Sequence, residues 1–350
     1  MKRFTSFLSA LLLFSAFALV PDRAAGALPM YGDVNFNEVV DIDDVIALAD
    51  HLSTGTTTIA DDVNGDLEAN IRDITLLIDY LLYGELEFDL YSPPVPDSAL
   101  VVTVNGVSFA MMPVKGGDYY PYKNWPNHDP EFHVTLSDYY MGMTEVTIEL
   151  WLAVMGSRPL HAGLNTPKPN EAVDCLSFWD CKDFIARLNE LTGLEFHMPT
   201  KAQWVYAAMG GQWSGGYTYA GSNDIDEVAW YEGNRPDIYK RLVDIYTGTS
   251  YELPVGMKKP NELGIYDMSG NVAELLEFGH VTQGENYDEL ERDSLYPVYK
   301  YGGSNFRNAS YCTVIDPIEA MVFHSFTVAI DNGLRLVLQA SSLPAGYRSK

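Results

Sequence analysis

Two stretches near the N-terminus share one pattern. DVNFNEVVDIDDVIALADHLSTG starts at Asp33 and DVNGDLEANIRDITLLIDYLLYG at Asp62, and the register holds to Gly55 and Gly84. Each copy opens with oxygen-bearing side chains: Asp33, Asn35, Asn37, Asp41 and Asp44 in the first, Asp62, Asn64, Asp66, Asn70 and Asp73 in the second. Oxygens at loop positions 1, 3, 5, 9 and 12 let a curled backbone aim several of them at one hard cation, and calcium favours such cages. Each loop runs into an amphipathic helix, with Val45, Leu48 and Leu52 on one apolar face and Ile74, Leu77, Ile78 and Leu81 on the other. A lone Asp-rich loop is weak evidence for a metal; two in fixed register, each with its helix, are strong. The sixth loop position, where glycine usually permits the sharp turn, is Glu38 in one copy and Leu67 in the other, so weakened affinity is expected.

The sequence around this repeat sets its context. Lys2 and Arg3 precede an apolar run, Leu8 to Val20, too short to span a bilayer comfortably, and Ala25–Ala27 offers small residues for cleavage. Residues 1–27 are read as a signal peptide for secretion to the periplasm, cell surface or medium. The rest of the chain contains no second spanning segment, and no cysteine near the cleavage point invites a lipid anchor. After residues 30–85, Pro93, Pro94 and Pro96 mark an extended spacer over 86–98. With 48 acidic against 22 basic side chains the net charge is -26, a field that repels phosphate backbones and argues against nucleic acid as a partner. Three cysteines allow at most one internal bridge, so the fold must rest on its core.

Residues 99–340 read as a second, larger domain, with 341–350 as a tail. Three helices announce themselves by their caps: TIELWLAVMG behind Thr147, SFWDCKDFIARLNELTG with Ser177 and Asp180 as a capping box, and TKAQWVYAAMGG with Thr200 and Gln203 as another. Ile148, Trp151, Leu152 and Met155 are expected on the buried face of the first, and Cys181, Phe184, Ile185 and Leu188 on that of the second. Strands are expected at 100–114, 131–136 and 333–338, with long irregular stretches between later elements, as in binding surfaces. No zinc-type histidine spacing, nucleophile elbow or phosphate loop appears.

The repeat resembles the dockerin module, in which Asp at the twelfth loop position is usual. That resemblance implies two calcium ions and a cohesin-like partner bound through residues 30–85. Further on, FAMMPVKGG, HVTLSDYYMGMTEVT, MPTKAQWVYAAMGG, YAGSNDIDEVAWYEGN, PVGMKKPNELGIYDMSGNVAE, YGGS and NGLRLVL follow one another in order. Together they resemble the formylglycine-generating enzyme, or sulfatase-modifying factor, family. The resemblance implies an α+β fold of C-type-lectin-like kind with much irregular structure, appended to a small all-α module. It also implies calcium at Asn271, Val272 and Glu274, and, in active members, copper(I)-dependent oxidation of a substrate cysteine by oxygen.

The chemistry is where this chain departs from that pattern. Active members place two cysteines after the Gly-Gly-Ser turn. Here the nearer position is Arg307 and only the farther is a cysteine, Cys312. A guanidinium has no lone pair to give a metal, and one thiolate holds a linear soft cation poorly. Copper is therefore not expected, and Cys312 reads first as a small buried hydrophobe. A surviving redox role with Ser304, or a disulfide, stays open. The reading preferred is a non-catalytic binding or scaffold domain, a pseudoenzyme, with Asn305, Arg307, Phe323, His324, Phe326 and Thr327 as contacts for a protein or carbohydrate ligand. The alternative is an atypical copper- and oxygen-dependent oxidase of protein cysteine around Cys312 and Ser304.

Overall fold

Each half of the repeat folds around its last acidic residue. The computed structural model describes residues 32–35, 37, 39–57, 61–64, 68–83, 92–120, 133–159, 168–236, 253–277, 298–314, 320–322, 328–344 and 347. The expected signal peptide, Glu38, Asp66, Leu67, Phe323, His324, Phe326 and Thr327 lie outside them. Helix α1 (Ile42–Thr54) starts on Asp41, which forms a reciprocal capping box with Asp44, and stops at Gly55 in the left-handed region at φ 69°. Helix α2 (Ile71–Tyr83) is its counterpart. Leu48 and Leu77 are fully buried between the two, with Val34, Val40 and Val63 beside them. Ile78 and Leu81, expected on the buried face, are exposed, as are Ile42, Ile46, Ile71 and Leu82. A pair of helices has one shared seam, so an apolar stripe wider than that seam faces outward.

In the larger domain, β1 (Leu100–Val104) and β2 (Val107–Val114) form a hairpin across Asn105-Gly106, both at positive φ. Short strands β3 (Asp118–Tyr119) and β4 (Val134–Thr135) pair with each other. Strand β5 (Tyr139–Gly142) lies beside β2. Then come α3 (Ile148–Met155), α4 (Phe178–Thr192), β6 (Phe196–His197), α5 (Lys201–Ala208) and the single turn α6 (Ile225–Val228). Strands β7 (Ala273–Leu275), β8 (Val298–Tyr301), β9 (Ala320–Val322), β10 (Asn332–Gly333) and β11 (Val337–Gln339) complete the order. One sheet runs β1-β2-β5-β11-β6 and a second β10-β7-β8-β9, in which β10 and β7 are parallel.

All three expected caps are in place: Thr147 accepts from the Leu150 amide, and the Ser177/Asp180 and Thr200/Gln203 boxes both close. In α4 the stripe Cys181, Phe184, Ile185 and Leu188 is buried as expected. In α3 Ile148 and Trp151 are buried as expected, Trp151 stacking on Phe184 of α4 at 4.9 Å, while Leu150 and Val154 are buried and Leu152 and Met155 only partly so. The single strand expected over 333–338 is two. Its ends join different sheets, so Leu334, Arg335 and Leu336 cross between them. Among the described residues no helix is long and apolar enough to cross a membrane.

Candidate functional site

The acidic loops come first. In loop one, Asp44 is fully buried, accepting the Asn35 amide at Oδ1 (3.1 Å) and the Asp41 amide at Oδ2 (2.8 Å). Loop two repeats this: Asp73 Oδ1 accepts from the Asn64 amide at 3.0 Å and Oδ2 from the Asn70 amide at 2.8 Å. Asp33 Oδ1 and Asn35 Oδ1 both accept from the Asn37 amide, and Asn37 Oδ1 from the Val39 amide, so the first loop curls on its own side-chain oxygens. Among the described residues no three acidic, histidine or cysteine side chains gather on one point. Each loop instead mixes Asp with Asn. An all-oxygen set of this kind on a curled backbone fits calcium rather than a soft metal.

The second candidate sits where β8 ends. Gly302 and Gly303 turn the chain at φ 95° and 68°. A Cβ on Gly303 would lie 2.7 Å from Cys312 Sγ, so the turn needs glycine to close over that thiol. Cys312 is fully buried, with Sγ 3.9 Å from the Asn308 carbonyl oxygen, and burial pushes its thiol up to about 12. At neutral pH it is a thiol, not the thiolate that attacks or binds metals. Cys175 and Cys181 are likewise buried free thiols.

Arg307, by contrast, is integrated. Its Nε lies 3.3 Å from Asp331 Oδ2, which also accepts from Ser304 Oγ at 3.0 Å, while Lys300 Nζ reaches Asp331 Oδ1 at 2.5 Å. Burial works against the Asp331 carboxylate, but the charges of Lys300 and Arg307 outweigh it and hold the carboxyl below its ordinary range. The Arg307 guanidinium remains 47% exposed and lies 5.7 Å over the Tyr311 ring. Beside it, Asn305 is buried and accepts from Arg235 NH1, and Arg235 covers the Phe306 ring at 4.7 Å. Asp331, Lys300 and Arg235 were not singled out in the sequence; their distance along the chain hides the cluster.

The calcium expected at Asn271, Val272 and Glu274 does not fit the contacts found there. Glu274 Oε1 accepts from Nε and NH2 of Arg335, and its Oε2 from Trp204 Nε1. Asn271 Oδ1 accepts the Leu253 amide, its main-chain oxygen accepts the Asn305 amide, and its Nδ2 donates to Glu145 Oε2. The Val272 amide donates to Glu145 Oε1. A guanidinium thus occupies the charge-compensating place a metal would take. Glu145 and Asp267 complete this buried cluster. Burial and the neighbouring carboxylates push Glu145 well up, and burial pushes Asp267 up to about 6.

Comparison with known proteins agrees with this division. Residues 98–340 match the sulfatase-modifying factor enzyme 1-like domain, and residues 31–82 match the dockerin type I domain. A Paenibacillus barcinonensis protein named chaperone protein LppX is 35% identical over 204 residues, 48% of this chain and 71% of that one. Among solved structures, Treponema denticola variable protein 1 is similar over 70% of this chain and 100% of that one, at 24% identity and a TM-score of 0.54. PvdO from Pseudomonas aeruginosa covers the same shares at 17% identity and a TM-score of 0.51. At these identities the two structures speak for the fold alone.

Proposed function

We infer function from one premise: the chain belongs to the sulfatase-modifying factor enzyme 1-like family and carries a type I dockerin module in front of that domain. Type I dockerins bind calcium and typically dock onto cohesins, which suggests an extracellular or cell-surface assembly. In our reading the protein is exported by residues 1–27 and attached to such an assembly through residues 30–85. The exposed apolar side chains of Ile42, Ile46, Ile71 and Leu82 give the module a surface to offer its partner. The larger domain is a non-catalytic ligand-binding or scaffold unit, its contact surface including Arg307, Phe323, His324, Phe326 and Thr327; Asn305, expected there, is fully buried beneath Arg235 and drops out. The Paenibacillus barcinonensis relative is named a chaperone and not an oxidase, which supports this reading.

One observation carries the non-catalytic reading: Arg307 is locked to Asp331 while Cys312 stays buried and protonated. Copper(I) titration of the full chain, with oxygen uptake measured on a cysteine-containing peptide, tests it. The wild type is expected to bind no stoichiometric copper and consume no oxygen. Tight one-to-one binding that disappears in Cys312→Ala, with oxygen consumed, would establish the oxidase instead.

A further inference from the structure

The second calcium loop is braced from outside its own module. Lys168 Nζ of the larger domain lies 2.6 Å from Asp62 Oδ2, the first residue of that loop, and both side chains are buried, at 6% and 0% exposure. In the first loop the equivalent Asp33 accepts the Asn37 amide. Lys168 is itself fixed. Its amide donates to Glu171 Oε2 at 2.9 Å, the Glu171 amide returns to the Lys168 carbonyl, and Glu171 pairs with Pro254 while the Val255 amide donates to the Asn170 carbonyl. The linker joins the domain at the same edge: Pro93 is buried there, packed on Gly256.

We propose that Lys168 is a positioning residue for the second calcium loop, so that calcium binding there and docking of the module onto the larger domain strengthen each other. The proposal rests on the reading of both loops as calcium sites. A carboxylate has two oxygens, so one side chain can serve an ammonium on one and a cation on the other. The ammonium does not distort the loop. Asp73 takes the Asn64 and Asn70 amides just as Asp44 takes those of Asn35 and Asp41 in the first loop. Outer-sphere partners of this kind fix the orientation of a ligating group before the metal arrives, and their loss costs 10–100-fold in affinity. Binding linkage then requires the reverse effect: calcium that orders Asp62 must also hold Lys168.

Calcium titration calorimetry of the full chain, as wild type, Lys168→Met and Lys168→Arg, tests this. The wild type is expected to show two sites. Lys168→Met should weaken one by about tenfold and leave the other unmoved, and Lys168→Arg should restore most of the loss, which separates positioning from general damage to the fold. Hydrogen exchange should slow at residues 168–171 on adding calcium to the wild type and stay unchanged in Lys168→Met. Two unaltered affinities in Lys168→Met, or one that tightens because the ammonium competes with the ion, would overturn the proposal. A wild type that binds no calcium would instead overturn the reading of the loops themselves.

Discussion

The most deeply buried carboxylates of the two parts of this chain differ in what holds them, Asp62 with its lysine being an exception in the small module. In the larger domain every buried acid described above finds a protein counter-charge or donor. Glu274 has Arg335 and Trp204, Asp331 has Lys300 and Arg307, and Asp267 has the Gly256 amide. In the small module Asp44 and Asp73 are held by main-chain amides that turn the loops. The first arrangement needs no ion; the second belongs to a module of a kind that binds calcium. Family resemblance implies calcium in both places, and contact chemistry separates them.

The sharpest way to break this contrast is to remove the internal cation. Arg335→Met strands Glu274 at zero exposure and abandons the carbonyls of Gly142 and Tyr266, so the larger domain should lose about 3–5 kcal/mol. Chemical denaturation read by tryptophan fluorescence measures it, and a loss under about 1 kcal/mol would mean that Glu274 is neutral or otherwise served. Chelation is the complementary cut. Excess EDTA added to the full chain should lower the unfolding temperature of the module by roughly 10 °C while moving the larger domain's transition little. Calorimetry distinguishes the two transitions, and a shift confined to the larger domain would reverse the assignment.

A smaller effect follows from Glu171. Burial pushes its carboxyl up to about 8, with Lys168 opposing that rise. A carboxyl raised above its unfolded value favours the fold fully below that value, near 4.5, and loses the advantage as pH climbs through about 8. Thermal stability of the larger domain should therefore fall between pH 5 and pH 8, and Glu171→Gln should flatten that decline by roughly 5 °C across the range. Parallel slopes for the two proteins would place the titration elsewhere.

What was legible in the sequence was local. Caps at Thr147, Ser177 and Thr200 depend on residues three apart, and the loop repeat on spacings within a dozen. Half of the α3 face, Ile148 and Trp151, is legible from its spacing; Leu150 and Val154 are buried by elements packed on a second side of the helix, which its own period does not show. The arginine in place of a cysteine could be seen by counting from the Gly-Gly-Ser turn. That Asp331 holds it could not, since the two are 24 residues apart with no shared period. The Lys168–Asp62 pair joins positions 106 residues apart, and only the folded chain brings them together. Glu274 is expected from the family resemblance to hold calcium; its partner Arg335 lies between two strands that the sequence shows as one, and only the fold brings them together.

Gly256 has one more effect. Its backbone sits at φ 75°, and a methyl there would come within 2.6 Å of the Pro93 ring. The bare hydrogen lets Pro93 lie flat against the domain's flank, so the chain is already fixed to the larger domain there, before the first sheet strand begins. The point at which the linker becomes part of the domain is thus decided by a side chain that is not there.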